Sequence, residues 1–247
     1  MHKSLTNSVF YRNKFVRHRF AYATFLSMQN KYIYVETPKN ACSSTKLSLM
    51  HIEGLEPPAN LGDVHVRSPN DGRPSLFDLG YDGTLALLES KEYTKFCVFR
   101  DPTRRLFSAF RNKLCNPELK NYDAIRKSIM QEYSVSDFRE VRFAQFAEWV
   151  CNQPDEMRDH HYRSQWSLNL CDYIDYDFVV RMDNYASDMT LLARRLDLSD
   201  KQMPDFKKRT NVSNSEATKI PLGVTKQINR VYEKDFEILS MHKGGYE

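Results

Sequence analysis

Residues 31–50 read KYIYVETPKNACSSTKLSLM, and the order of residue types in this stretch decides the fold. Tyr32 to Val35 form an apolar, aromatic run suited to a strand. After Pro38 come Lys39 and then Asn40, Ala41, Cys42, Ser43, Ser44 and Thr45, a loop of side chains small enough to let a ligand touch the backbone. A helix is expected from Ser43, with Leu47, Met50 and His51 on one face, ending near Gly54 before Pro57 and Pro58. A strand entering a helix through such a loop aims several N–H groups, and the positive end of the helix dipole, at one spot. An oxyanion fits there.

The spacing is not that of a P-loop NTPase, which needs Gly-x-x-x-x-Gly-Lys-Ser/Thr, nor is it the Gly-x-Gly-x-x-Gly of a dinucleotide fold. Pro38 to Ser43 instead resemble the 5′-phosphosulfate loop of sulfotransferases, Pro-Lys-x-Gly/Ala-Cys/Ser/Thr-Ser/Thr. Ala41 stands where many members of that family have glycine, so the backbone there is expected to avoid positive φ.

With 247 residues the chain suits one α/β domain, and a second independent one would be cramped. A hydrophobic content of 41% is that of a globular protein, and a formal charge of +4 is too mild to indicate nucleic acid. The cysteines, at positions 42, 97, 115, 151 and 171, form no C-x-x-C pair and no zinc spacing, and an odd number cannot all pair within the chain. Reduced thiols in a reducing compartment are expected. No window approaches the roughly 20 apolar residues of a membrane span, and the amino terminus lacks a signal-peptide core. The expectation is a cytoplasmic protein without a transmembrane segment.

The second informative stretch is EYTKFCVFRDPTRRLFSAFRNKL, residues 92–114, preceded by a helical TLALLES. Phe96 to Phe99 suit a buried parallel strand. Asp101 is a good N-cap and Pro102 a good first helical residue, with Leu106, Phe107, Phe110 and Leu114 facing a core. Arg100 then sits between strand end and helix start, where open α/β sheets bind ligands, and Ser108 can face the same crevice. A guanidinium beside a hydroxyl suits a phosphate monoester. Arg104 and Arg105 are expected to be solvated surface charges.

This run is similar to the 3′-phosphate motif of the carbohydrate sulfotransferases, family 2 type, V-R-D-P-x-x-R-L-x-S-A-[YF]-x-x-K. Further on, His161, Tyr162, Gln165, Tyr176, Asp177 and Phe178 resemble that family's H-[WY]-x-x-Q…Y-D-F-[IV] stretch. The FKKRTNVSNS segment, residues 206–215, loosely resembles its late nucleotide-closing loop, and INRVYEKDFEIL, residues 228–239, its closing helix. Between these, Phe138, Val141, Gln145, Phe146, Trp149 and Val150 have the spacing of a helical core stripe. A strand is expected at about 176–181, a helix at about 184–196, and a short strand around Val64 to Val66.

The fold so implied is α/β, a single domain with a central parallel sheet flanked by helices, of the P-loop-like nucleotide-binding sulfotransferase kind. It would occupy residues 31–247, with residues 1–30 as a basic, aromatic arm packed on it. The resemblance implies 3′-phosphoadenosine 5′-phosphosulfate as co-substrate and sulfuryl transfer to a carbohydrate or glycolipid hydroxyl. Residues 40–45 would hold the 5′-phosphate and sulfate, Lys39 would meet the bridging oxygen, and Arg100 with Ser108 would hold the 3′-phosphate. No metal is required, because Lys39, Arg100 and the helix start match the donor's charge.

In the family a base lies between the two phosphate motifs, a place His65 fills. Glu53, Glu56 and Asp63 are the fallback bases, and His161 competes for a role. Golgi relatives carry a membrane anchor, so a chain without one suggests a bacterial, cytoplasmic enzyme. A phosphoryl-transfer enzyme of the kinase class shares the strand, anion loop and helix, and a non-catalytic nucleotide-binding module would keep the same pocket.

Overall fold

A computed structural model describes residues 4–65, 74–199, 202–204, 206 and 220–242. Helices α1 (Asn7–Arg12) and α2 (Lys14–His18) precede strands β1 (Thr24–Ser27) and β2 (Tyr32–Val35). Then come α3 (Cys42–Ile52), α4 (Gly80–Glu89), β3 (Thr94–Phe99), α5 (Pro102–Ala109), α6 (Asp123–Glu132) and α7 (Phe143–Cys151). The short α8 (Gln165–Leu168), β4 (Phe178–Arg181), α9 (Tyr185–Arg195), α10 (Leu222–Val231) and α11 (Glu233–Met241) complete the order. The chain divides into two compact units, one built from residues 1–99 and 165–212, the other from residues 100–164 and 213–244.

The first unit holds the sheet, in the order β1-β2-β3-β4. Strands β2, β3 and β4 are parallel, with Tyr34 opposite Phe96 and Phe96 opposite Phe178. Strand β1 runs antiparallel to β2 along the edge, and it comes from the segment read in the sequence as an arm. Successive side chains point to opposite faces of a strand. Tyr32, Tyr34, Phe96, Val98, Phe178 and Val180 therefore share one face, which packs with Leu49 and Ile52 of α3 and Met189 and Leu192 of α9. Ile33 and Val35 point the other way, into a cluster with Phe10, Val16, Phe20, Leu76, Leu170 and Ile174. Helices thus cover both faces, as a parallel sheet with apolar residues on both sides requires.

The amino-terminal segment is tied to the sheet by a buried charge. Arg19 donates from Nε to the Leu168 carbonyl at 2.7 Å and from Nη2 to the Glu36 carbonyl just past β2. Asp177 has a structural use here. Its carboxylate accepts from the Lys95 amide at 2.8 Å and pairs with the Lys95 ammonium at 3.0 Å, joining β3 to the start of β4.

The second unit is helical. Leu106, Phe110, Ile129, Phe146, Val150, Ile228 and Tyr232 form its core, with the Phe110 and Phe146 rings stacked at 5.4 Å. The stripe expected as one helix from Phe138 is broken. Phe138–Glu140 is a 3₁₀ turn, and α7 starts only at Phe143 because Arg142 is extended. Gln145, expected in the core, instead reaches back to accept from the Arg142 amide at 2.8 Å. That bond closes the helix start, which is why a polar residue sits within an apolar period.

Candidate functional site

The loop between β2 and α3 is built from two left-handed residues. Lys39 has φ 71° and Ala41 has φ 53°, so the expectation that Ala41 avoids positive φ is overturned. A residue with a Cβ in this region carries a strain of about 1–2 kcal/mol. The surrounding hydrogen bonds hold it there. Asn40, between the two, is fully buried and donates from Nδ2 to the Val98 carbonyl at 2.7 Å and to Gln165 Oε1 at 2.6 Å. The Asn40 amide N–H also closes onto the Thr37 carbonyl at 3.3 Å, and Thr37 bonds Asn169 Oδ1 at 2.9 Å. Gln165, matched in sequence to the family's H-[WY]-x-x-Q pattern, is therefore the residue that fixes this loop to the rest of the unit.

Ala41 is the N-cap of α3 and offers no side-chain cap. First-turn amides of a helix have no intrahelical acceptor, and an 11-residue helix brings its dipole to them. Ser43 and Ser44 stand on this turn, and Thr45 Oγ1 lies 3.0 Å from the Tyr185 hydroxyl of α9. Burial, then the Glu36 carboxylate, push the Cys42 thiol up. The loop cysteine stays a neutral thiol and is no nucleophile.

His65 does not lie on a strand. Leu61–His65 is a 3₁₀ turn packed against α3, and Val66, the other end of the expected strand, falls outside the described residues. This turn places the exposed imidazole over the first turns of α3. Nε2 is 2.8 Å from Ser43 Oγ, and Nδ1 is 3.1 Å from the Nζ of Lys46. Lys46 is 3% exposed, ion-paired with Glu36 and 4.9 Å above the Phe25 ring. Sequence reasoning missed Lys46 and Glu36, although Lys46 lies three residues after Ser43 and so shares its helix face.

Of the fallback bases, Asp63 is exposed on the same turn as His65. Glu53 caps the far end of α3, where it accepts from Asn30 at 2.8 Å. Eleven helical residues put it about 16 Å from the loop. Glu56 is exposed beyond that end.

In the second unit Asp101 caps α5, its Oδ1 accepting from the Arg104 amide at 2.8 Å, and Pro102 follows as expected. Arg100 and Ser108 are both buried. Arg104 is exposed, but Arg105 is not the solvated charge expected. It is 2% exposed and donates to the carbonyls of Arg163 at 2.6 Å and His160 at 3.0 Å. The guanidinium has five donors in a rigid fork, which lets one side chain hold a whole turn of backbone.

His161 is held by Asp159, with Nδ1 at 2.7 Å from Oδ1, and lies 2.8 Å from the Tyr122 hydroxyl. Burial outweighs the attraction of Asp159 and, with the charge of His160, lowers His161 to about 4. Asp159, which burial alone would raise, is held at about 2 by hydrogen bonding from His161 and by the charge of His160. Asp159, His160 and His161 also form the one group of metal-ligating types found close together among the described residues.

None of the five cysteines forms a disulfide. Among the described residues no helix is long and apolar enough to cross a membrane. Of the expected late loop, only Phe206 lies within the described residues.

The model of the Sulfotransferase family matches residues 22–240. The chain belongs to the sulfotransferase family. Its match begins before β1, within the segment that sequence patterning left in the arm. Carbohydrate sulfotransferase 12 of Mus musculus is 31% identical over 184 residues, 64% of this chain and 42% of that protein. Carbohydrate sulfotransferase 8 of Homo sapiens is 30% identical over 177 residues, 66% of this chain and 40% of that protein. Carbohydrate sulfotransferase 11 of Rattus norvegicus is 24% identical over 231 residues, 84% of this chain and 63% of that protein. The sulfotransferase-family chain thus spans about two fifths of the length of the first two relatives. These relatives are animal proteins, and they lend no support to the bacterial source expected from sequence. No solved structure matches the chain.

Proposed function

We propose that this chain moves a sulfuryl group from 3′-phosphoadenosine 5′-phosphosulfate to a hydroxyl of a carbohydrate or glycolipid acceptor. The observation that carries the reading is the loop before α3. Its left-handed residues, its hydrogen-bonded Asn40 and its uncapped helix start support reading this loop as an anion seat. When bound, the donor supplies an activated sulfate on a phosphate anhydride. Ala41 to Ser44 hold the 5′-phosphate and sulfate oxygens, Asn40 and Thr45 shape the loop from its buried side through Val98, Gln165 and Tyr185, and Lys39 neutralises the bridging oxygen as charge builds there. Arg100 and Ser108 take the 3′-phosphate.

In the reaction the bond from sulfur to the bridging phosphate oxygen breaks as a bond from sulfur to the acceptor oxygen forms. The acceptor proton passes to a base, a step of a kind worth about 10²–10⁴-fold. The protein's task is in-line positioning and charge neutralisation, as in phosphoryl transfer. The reading requires no metal, since Lys39, Arg100 and the helix start together match the donor's charge.

The test is a thermal-shift comparison of adenosine 3′,5′-bisphosphate without metal against ATP with magnesium, followed by transfer of labelled sulfate to a saccharide panel. A ligand that binds only the native state raises stability by mass action. Stabilisation by the bisphosphate alone, with label appearing in a saccharide, is the expected result. Stabilisation only by ATP with magnesium would favour the kinase class and overturn the proposal, and bisphosphate binding without transfer to any acceptor would reduce the chain to a binding module.

A further inference from the structure

The hydrogen bonds around His65 have a direction. Lys46 carries three N–H donors and no acceptor, and its ammonium is paired with the Glu36 carboxylate. Across the 3.1 Å contact it can only donate, so Nδ1 of His65 is the acceptor and carries the lone pair. The proton of a neutral imidazole is then on Nε2, where it points at Ser43 Oγ at 2.8 Å. Ser43 accepts that bond and keeps its own O–H to donate. The result is a one-way chain of donors from Lys46 through His65 to a hydroxyl on the first turn of α3, with the Glu36 carboxylate accepting from the same ammonium.

We infer that His65 is a hydrogen-bond donor serving the anion seat, with Lys46 as the residue that sets its tautomer, and is not the base expected from sequence. The inference rests on the sulfuryl-transfer reading for the identity of the anion, but the tautomer does not. Acting as a base at Nδ1 would require displacing the Lys46 ammonium and then leaving an imidazolium beside it, two like charges in contact. Acting at Nε2 would require the other tautomer, with an N–H facing an ammonium. In the donor role neither cost arises. Each link polarises the next, so the Ser43 hydroxyl becomes a stronger donor toward a phosphate or sulfate oxygen than an isolated serine. Lys46, although buried and neutralised by Glu36, thereby acts on the ligand through two intermediaries.

Glutamine separates the two roles, because its Oε1 can accept from Lys46 while its Nε2–H donates to Ser43, yet it cannot take a proton. His65→Gln and His65→Ala are compared with wild type for adenosine 3′,5′-bisphosphate affinity and for single-turnover sulfate transfer. ¹⁵N imidazole spectra of the wild-type protein report the tautomer directly. The expected result is an Nε2–H tautomer, His65→Gln within about fivefold of wild type, and His65→Ala weakened about 10–100-fold in bisphosphate affinity, the range for a charge-assisted hydrogen bond. An Nδ1–H tautomer, or Gln and Ala variants that keep full affinity and lose about 10²–10⁴-fold in turnover alike, would overturn it. A wild-type protein that ignores the bisphosphate would instead sink the sulfuryl-transfer reading, and the spectra would still decide the direction of the chain.

Discussion

Arg105 and Arg163 are joined by a 2.6 Å hydrogen bond in which one arginine's guanidinium holds the other's main-chain oxygen. The same fork takes the His160 carbonyl, so a charge near the end of the RDPTRRL run is a brace for the segment carrying His160 and His161. Burial lowers Arg105 from its ordinary value, opposed first by the charge of Asp235, itself fully buried.

Removing the brace leaves the Arg163 and His160 carbonyls without this donor. Arg105→Ala is expected to lower unfolding free energy by about 2–4 kcal/mol, from two buried acceptors left unsatisfied at about 1–3 kcal/mol each. The neighbouring Arg104→Ala is expected to stay within about 0.5 kcal/mol, as exposed substitutions do. Urea unfolding followed by circular dichroism measures both, and equal losses at the two positions would contradict the assignment.

At Ala41 the side chain opposes the backbone. Ala41→Gly relieves about 1–2 kcal/mol of left-handed strain and adds about 0.4–1 kcal/mol of unfolded-state entropy. A net stability gain of up to about 1.6 kcal/mol is therefore expected. Ala41→Val, with a branched Cβ at the same φ, is expected to lose about 1–3 kcal/mol and to weaken anion binding. Calorimetric unfolding, with and without adenosine 3′,5′-bisphosphate, separates the two effects, and a stabilised valine variant would refute the strain.

Acid should loosen the second unit in two stages. His161 is held at about 4 in the folded chain, below the ordinary 6.5, so the unfolded state binds more protons between these values. Its contribution is present above pH 6.5 and is lost as pH falls toward 4, an effect of roughly 2 kcal/mol after discounting the coupling with Asp159. Asp159, held at about 2 against 3.8, loses its contribution in the window below. Guanidinium melts at pH 7 and pH 4.5 should therefore differ more for wild type than for His161→Gln. Identical pH dependence in the two proteins would show that His161 is not the group responsible.

Local patterns that fix backbone geometry were legible in the sequence. Asp101 and Pro102 announce a helix start by their own chemistry, and the unbroken apolar run of Tyr32 to Val35 announces a strand buried on both sides. The loop after Pro38 was legible as a likeness to a motif. Its conformation was not, because the left-handed φ of Ala41 is imposed by Asn40 bonding to Val98 and Gln165, partners 58 and 125 residues away. For the same reason Arg105 looked like a surface charge: its acceptors are carbonyls, which leave no trace in side-chain patterning. His65 was picked out as a residue between the motifs. Only coordinates could reveal that a lysine occupies one of its nitrogens, and that fact changes what the ring can do. Strand β1 hid among basic and aromatic residues because four residues of edge strand carry too little periodicity to stand out.

Asn40 gives both of its amide hydrogens inward, to a strand carbonyl and to a glutamine, and its Oδ1 is buried with no partner. The loop's shape is consequently inherited from the sheet and from the turn that carries Gln165. Its geometry is therefore settled by the interior, and a differently shaped loop here would mean altering that interior first.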